Sequence, residues 1–226
     1  MKILRSKNLF LLLAFISISC FSYAQNSNIG NWLIYFGNQK INPKWNWHNE
    51  VQIRNFNFIG DIYQLLVRTG IGYNLSENNN NILLGYGFIQ SHIYDTGGAR
   101  IRRNEHRIFQ QFLNRHNFNT YFLQHRIRIE ERFLSDDFRM RFRYFLSVIK
   151  PLNKRNLIKN AIYLSAYNEI FMNAEKSVFD RNRLYGGLGL CINDYLRVET
   201  GFMSQMLKDN NQSQMQIILY NNIPFK

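Results

Sequence analysis

Between Tyr121 and Pro151 apolar and charged residues alternate with a period of two. Gln124, Arg126, Arg128, Glu130 and Arg132 fall on one side of an extended chain. Leu123, Ile127, Ile129 and Phe133 fall on the other, with His125 and Glu131 out of pattern. After Ser135-Asp136-Asp137 the period resumes, with Arg139, Arg141 and Arg143 opposed by Phe138, Met140, Phe142, Tyr144, Leu146 and Val148. Successive side chains of a strand alternate faces, whereas a helix would scatter these arginines around its circumference. The pattern predicts a hairpin with one charged face and one apolar face.

The same period runs through the rest of the chain. It predicts strands over Asn31–Asn38, Trp45–Phe56, Ile62–Tyr73 and Ile82–Tyr94. Further on, Glu105, Arg107, Phe109 and Gln111 oppose Ile108 and Phe112. Ile162–Met172 carries Glu169 opposite Ile162, Leu164 and Ile170. Arg183, Tyr185, Gly187 and Gly189 then oppose Leu184, Leu188, Leu190 and Ile192, and Arg197 and Glu199 oppose Leu196, Val198 and Phe202. A last strand places Met215, Ile217, Leu219, Ile223 and Phe225 on one face. Polar or Gly-rich breaks separate these segments, as turns between strands require, and Asp95–Arg103 reads as a longer basic loop. No linker or low-complexity stretch divides the chain, so one domain over 25–226 is expected.

The N-terminus sets the compartment. Lys2, Arg5 and Lys7 precede an apolar core, Leu9 to Ile18, and Ser22-Tyr23-Ala24 offers a small-x-small cleavage site. This is the pattern of a secretory signal peptide over residues 1–24. Cys20 raises a lipoprotein alternative, against which Ser17 stands where an aliphatic residue is wanted. Cleavage after Ala24 leaves Cys191 as the single cysteine and permits no internal disulfide. It also removes three of the 28 basic residues and none of the 15 acids, so the net charge falls from +13 to +10. The remaining lysines lie in or beside connections while most arginines lie within strand patterns. A generic nucleic-acid surface would not sort the two cations in this way.

No apolar run after residue 24 approaches the roughly 20 residues that a membrane helix needs. Segments of this length, with aromatic residues near their ends (Trp32, Trp45, Trp47, Tyr73, Tyr94, Phe133, Tyr144), suit strands crossing a bilayer obliquely. The fold expected is all-β, a closed antiparallel transmembrane barrel in the bacterial outer membrane, which satisfies backbone polar groups in lipid without an edge. Eleven segments are countable, but single-chain bacterial barrels have even strand numbers. That rule points to twelve strands, with ten as the alternative. A soluble β-sandwich or lipocalin-like barrel also alternates, but its wet face would use lysine freely.

EVQIRNF (Glu50–Phe56), EHRIFQQ (Glu105–Gln111), LQHRIRIEERF (Leu123–Phe133), RFRY (Arg141–Tyr144), NEIF (Asn168–Phe171) and FDRNRLYGGLG (Phe179–Gly189) together resemble the bacterial family called domain of unknown function 2490. The resemblance covers nearly the whole chain after residue 24. It implies an outer-membrane barrel and no particular activity.

Strand parity assigns Arg54, Arg68, Arg107, Arg126, Arg128, Arg132, Arg139, Arg141, Arg143, Arg183 and Arg197 to the lumen, together with Glu50, Glu105, Glu130, Glu169 and Glu199. Eleven cations against five acids leave a surplus. A planar guanidinium matches carboxylate and phosphate geometry, and arginine tracks in a pore favour anions. One reading is therefore a passive channel or binding site for small anionic solutes. The other is a structural or interaction barrel in which Arg and Glu zip together, because side chains fill the interior of narrow barrels. A rim-located hydrolase is the third class. Only Ser91-His92, Glu105-His106 and His125 suggest it, and no G-x-S-x-G, HExxH or paired-cysteine motif occurs. No metal and no cofactor are expected. Lipid and small anions are the partners the pattern points to, and oligomeric state is not readable from it.

Overall fold

The computed structural model describes residues 29–225 apart from 59, 77, 78, 176 and 209, so the signal peptide expected over 1–24 lies outside the described residues. Every regular element described is a strand: β1 (Gly30–Lys40), β2 (Trp45–Asn55), β3 (Ile62–Asn74), β4 (Asn80–Tyr94), β5 (Arg100–Phe118), β6 (Tyr121–Leu134), β7 (Phe138–Pro151), β8 (Ile162–Asn173), β9 (Phe179–Cys191), β10 (Leu196–Leu207) and β11 (Asn211–Asn221). Each pairs with its sequence neighbours, and β1 closes on β11.

The barrel has eleven strands, the number of segments in the alternating pattern, rather than the even twelve or ten. An odd ring of alternating strands must contain one parallel pair. Here it is β1 with β11, in register from Gly30↔Gln214 to Gly37↔Asn221; all other neighbours are antiparallel. The seam therefore departs from a wholly antiparallel barrel. Because β1 and β11 start at the same end, Asn221 emerges at the end opposite Gly30. We call Asn221's end the C-terminal end. It carries the connections 41–44, 75–79, 119–120, 152–161 and 192–195.

The strands are longer than their apolar patterns suggest. β5 begins at Arg100, so Arg100–Arg103, expected in a loop, pair with β4 from Tyr94↔Arg100 to Ser91↔Arg103. The true loop is Asp95–Ala99, where the Asp95 carboxylate accepts the Gly97 and Ala99 N–H groups at 2.9 and 2.7 Å and Gly98 takes φ 79°. At its other end β5 runs to Phe118. It reaches β6 through Asn119-Thr120, with Asn119 in the left-handed region (φ 53°) that Asn tolerates. β11 ends at Asn221, short of the expected Phe225. Phe225 instead leaves the sheet, where its N–H bonds the Lys40 carbonyl and its ring stacks on Trp47.

Alternation gives the wall two unlike surfaces. On the outside, every strand shows a large apolar side chain: Leu33, Val51, Val67, Leu84, Ile108, Ile127, Phe142, Leu164, Leu184, Phe202 and Leu219, each at least 37 % exposed. Monomers in water rarely leave so much contiguous apolar surface uncovered. Aromatic pairs gather at both ends of this band. Trp45–Tyr73 and Trp47–Phe225 stand at the C-terminal end, and Phe56–Tyr63, Phe56–Tyr94 and Phe133–Phe138 at the other. Outward polar groups are mostly paired with one another, as in Trp47 Nε1 to Thr69 Oγ1 (2.8 Å), Asn168 to Asn182 (2.7 Å) and Gln110 to Glu131 (3.2 Å).

The inside is lined by packed side chains. Trp32 belongs here, buried at 4 % exposure, and not to the rim where its position near a segment start suggested it. With Ile34, Tyr185, Met203 and Ile218 it forms an apolar cluster along β1, β9, β10 and β11. The hydroxyl ends of the Tyr163 and Tyr185 rings press against Gly189 and Gly187, where any Cβ would collide with them. The Gly186–Gly189 stretch is thus a seat for two tyrosines. Most charged residues occupy the other sector, from β2 to β8, while Arg183, Arg197 and Glu199 stand inside on β9 and β10.

Candidate functional site

The charged sector is organised by Glu130, which is wholly buried. On the β6–β7 hairpin Glu130 stands directly opposite Arg141, and Arg128 opposite Arg143. Two like charges facing across a strand pair repel, so Arg128 and Arg143 need acids nearby. Glu130 supplies one: Arg143 Nη1 and Arg141 Nη2 both approach it to 2.5 Å. Arg68, Arg107 and Arg128 complete its surroundings at 3.6, 3.6 and 3.7 Å. The Arg68 contact crosses the lumen from β3 to β6. Five guanidiniums from four strands thus share one carboxylate.

Other acids extend the lattice in both directions. Towards the C-terminal end, Glu169 on β8 takes Arg143 (2.6 Å), Arg126 (2.7 Å) and Arg183 (3.8 Å), while Glu50 on β2 takes Arg68 at 2.7 Å. Towards the other end, Glu105 holds Arg107 at 2.7 Å and Arg132 at 2.5 Å. Aromatic faces support the cations between the acids. Arg143 and Arg183 lie over Phe171, Arg128 over Phe109 and Arg126 over Phe145. Arg54 has no acid in this lattice; it bonds Gln52 and Gln64 and stacks 3.8 Å over Trp32. Glu130, Phe109, Ile89 and Leu66 are 0 % exposed, so side chains fill the lumen at this level.

On the C-terminal side of this waist the lumen opens into a cavity of about 570 Å³, whose wall runs out to the exposed rim residues Lys40, Asn117 and Asn222. Nine basic side chains line it (Lys40 and eight arginines), against two carboxylates, Glu50 and Glu169. Several of their donors are unspent. Arg126 Nε, Arg128 Nη1 and Arg197 Nε are buried without a hydrogen-bond partner among the described residues. Aromatic rings form part of the same wall, in the stacked pair Phe36–Tyr220 and the tilted pair Phe145–Tyr167.

Of the sixteen residues that parity assigns to the lumen, fifteen have their side chains inside the barrel. Arg139 does not: it lies at the exposed start of β7 and pairs with Asp137 at 2.6 Å in the adjoining turn. Parity assigns a face but not a depth, and Arg139 is beyond the rim. Glu199 is inside and buried, next to Tyr163 and Tyr185, but forms no ion pair within 4 Å among the described residues. His116 and His125 stack on one another, and the other histidines stand apart from this pair. His106 meets the Tyr86 hydroxyl and His125 the Tyr144 hydroxyl, both on the outer surface, and Ser91 accepts from Gln64 inside.

Two inward residues escaped the pattern. Asp180 has outward parity, yet reaches Arg141 at 3.1 Å. It is the extra residue of a bulge, since Phe171 pairs with Arg181 and Met172 with Phe179, and a bulge re-aims side chains. Arg115 escaped because the strand was expected to end near Phe112; continuing the period from Gln111 through Leu113 would have placed it inside.

Comparison with known families matches residues 29–216 to the family described as "Protein of unknown function (DUF2490)". No curated protein and no solved structure matches the chain.

Proposed function

The chain belongs to the DUF2490 family, whose description names no activity, and we propose from its geometry that it is an outer-membrane barrel that binds small anions in a one-ended vestibule. The apolar outer band with aromatic pairs at both ends supports insertion in a bilayer. The signal-peptide pattern over residues 1–24 agrees with export. On this reading the two roles inferred from the arginine ladder divide the lumen between them. The Glu130 lattice is a structural plug, and the space beyond it is the binding site.

The observation that carries the proposal is the charge imbalance of the vestibule. Even with Glu130 counted beneath its floor, nine cations face three carboxylates. Inside a barrel the low dielectric strengthens every uncompensated charge, and a basic cavity of this kind concentrates anions. A passive anion channel fits less well, because buried side chains fill the lumen at the waist.

Carboxyfluorescein tests the proposal in two formats. With the barrel in nanodiscs, fluorescence polarisation should show binding that weakens as salt rises, and a cationic rhodamine should not bind. Entrapped in liposomes carrying the barrel, the same dye should not leak. Absence of binding by any anion overturns the proposal; binding together with leakage overturns the plug.

A further inference from the structure

We propose that the vestibule selects organic anions with an oxyanion head and a flat apolar body, the head held between Arg115 and Arg197 and the body against the aromatic wall. This rests on the anion-binding reading above and adds the ligand class and the seat.

Arg115 on β5 and Arg197 on β10 stand on opposite walls, with four strands between them on one side of the ring and five on the other. Both line the cavity, and Arg197 is the charge that acts on Arg115 across the lumen. Neither has a carboxylate within 4 Å among the described residues. Among the described residues the Arg115 guanidinium bonds only the neutral Gln124, at 3.2 Å. Arg197 lies 4.1 Å over the Tyr220 ring, and its buried Nε has no acceptor. Deeper cations differ: Arg126 holds Glu169, and Arg128 gives two N–H groups to Gln111. Two opposed guanidiniums, each with unspent donors, are relieved together by one oxyanion placed between them.

The space inward of this pair carries an apolar, aromatic strip beside its arginines and glutamines. Phe145, Tyr167, Ile218 and Trp32 line it, and Tyr167 stacks on Tyr185 and meets Phe145 at a tilt. Flat apolar groups gain from such faces, whereas hydroxyls turned towards that strip would lack partners there. A cavity of about 570 Å³ is in the usual range for a small organic ligand.

Calorimetry on nanodisc-embedded barrel, with empty-disc partitioning subtracted, tests this with three probes: 1-naphthoate, galacturonate and inorganic phosphate. Naphthoate should bind at least about tenfold more tightly than either polar anion, as loss of buried apolar contact implies. Arg115→Gln and Arg197→Gln should each weaken naphthoate about tenfold or more, the scale of a lost charged hydrogen bond. Arg139→Gln, outside the barrel, should leave it unchanged. Heat-modifiable migration of the variants establishes that they fold. If galacturonate or phosphate matches naphthoate, the ligand class is wrong while the anion site stands. If naphthoate binds but ignores both substitutions in folded protein, the seat is wrong. If none of the three binds, the underlying anion-binding reading fails as well.

Discussion

Replacing Glu130 by Gln keeps the shape of the side chain and removes the charge on which five guanidiniums converge. Two of them, Arg141 and Arg143, lie at 2.5 Å, and three more lie within 3.7 Å. At an effective dielectric of about 20, one pair of unit charges 4 Å apart is worth about 4 kcal/mol. The whole of that sum is not lost, because most of these cations keep a second acid: Arg143 keeps Glu169, Arg68 keeps Glu50, Arg107 keeps Glu105 and Arg141 keeps Asp180. Arg128 keeps only the neutral Gln111. The expected loss is the cost of breaking a buried ion pair from one side, about 3–5 kcal/mol. For a chain of 150–250 residues that lowers the unfolding midpoint by about 6–20 °C.

The assay is the temperature at which the barrel loses its fast, folded gel migration in detergent, backed by tryptophan fluorescence. Adding Arg128→Gln to Glu130→Gln should recover part of the loss, since it removes the cation left without an acid. Glu131→Gln, one residue along on the outer face, should leave the midpoint unchanged or raise it, because a neutral side chain suits that face better. A Glu130→Gln midpoint within about 2 °C of the parent, less than 1 kcal/mol on this scale, would refute the idea that the lattice braces the barrel.

Arg139→Gln should cost at most about 1 kcal/mol, as expected for an exposed ion pair, and equilibrium denaturation in urea would measure it. Gly189→Ala should destabilise by about 1–3 kcal/mol through overpacking against the Tyr163 ring; Tyr163→Leu in the same chain should return part of that loss, which the same denaturation series would show. Cys191, 2 % exposed, should resist a small maleimide in the folded barrel and react after heating, with mass spectrometry as the readout.

Where one face of a strand is charged and the other apolar, the period of two is enough to place side chains. Arg126, Arg128, Glu130, Arg141 and Arg143 were therefore legible from the letters alone. It fails where both faces are apolar. β1 reads Trp32-Leu33-Ile34-Tyr35-Phe36 and β11 reads Ile217-Ile218-Leu219-Tyr220, and in such runs nothing marks the inner face. The apolar half of the lumen, and Trp32 within it, stayed hidden for that reason. Asp180 was unreadable because a bulge changes parity locally, and Arg139 because alternation carries no depth. Strand number followed the count of segments; the parallel β1–β11 seam is a long-range closure that no local pattern encodes. The vestibule was beyond reach too, since an empty volume depends on how rings from distant strands pack.

The closed waist at Glu130 is the centre of this account, and single-channel recording in a planar bilayer tests it most directly. Purified barrel should insert without steady ion conductance, because buried side chains, Glu130 and its arginines among them, fill the lumen at the waist. A stable, anion-selective open level in the unmodified protein would contradict it.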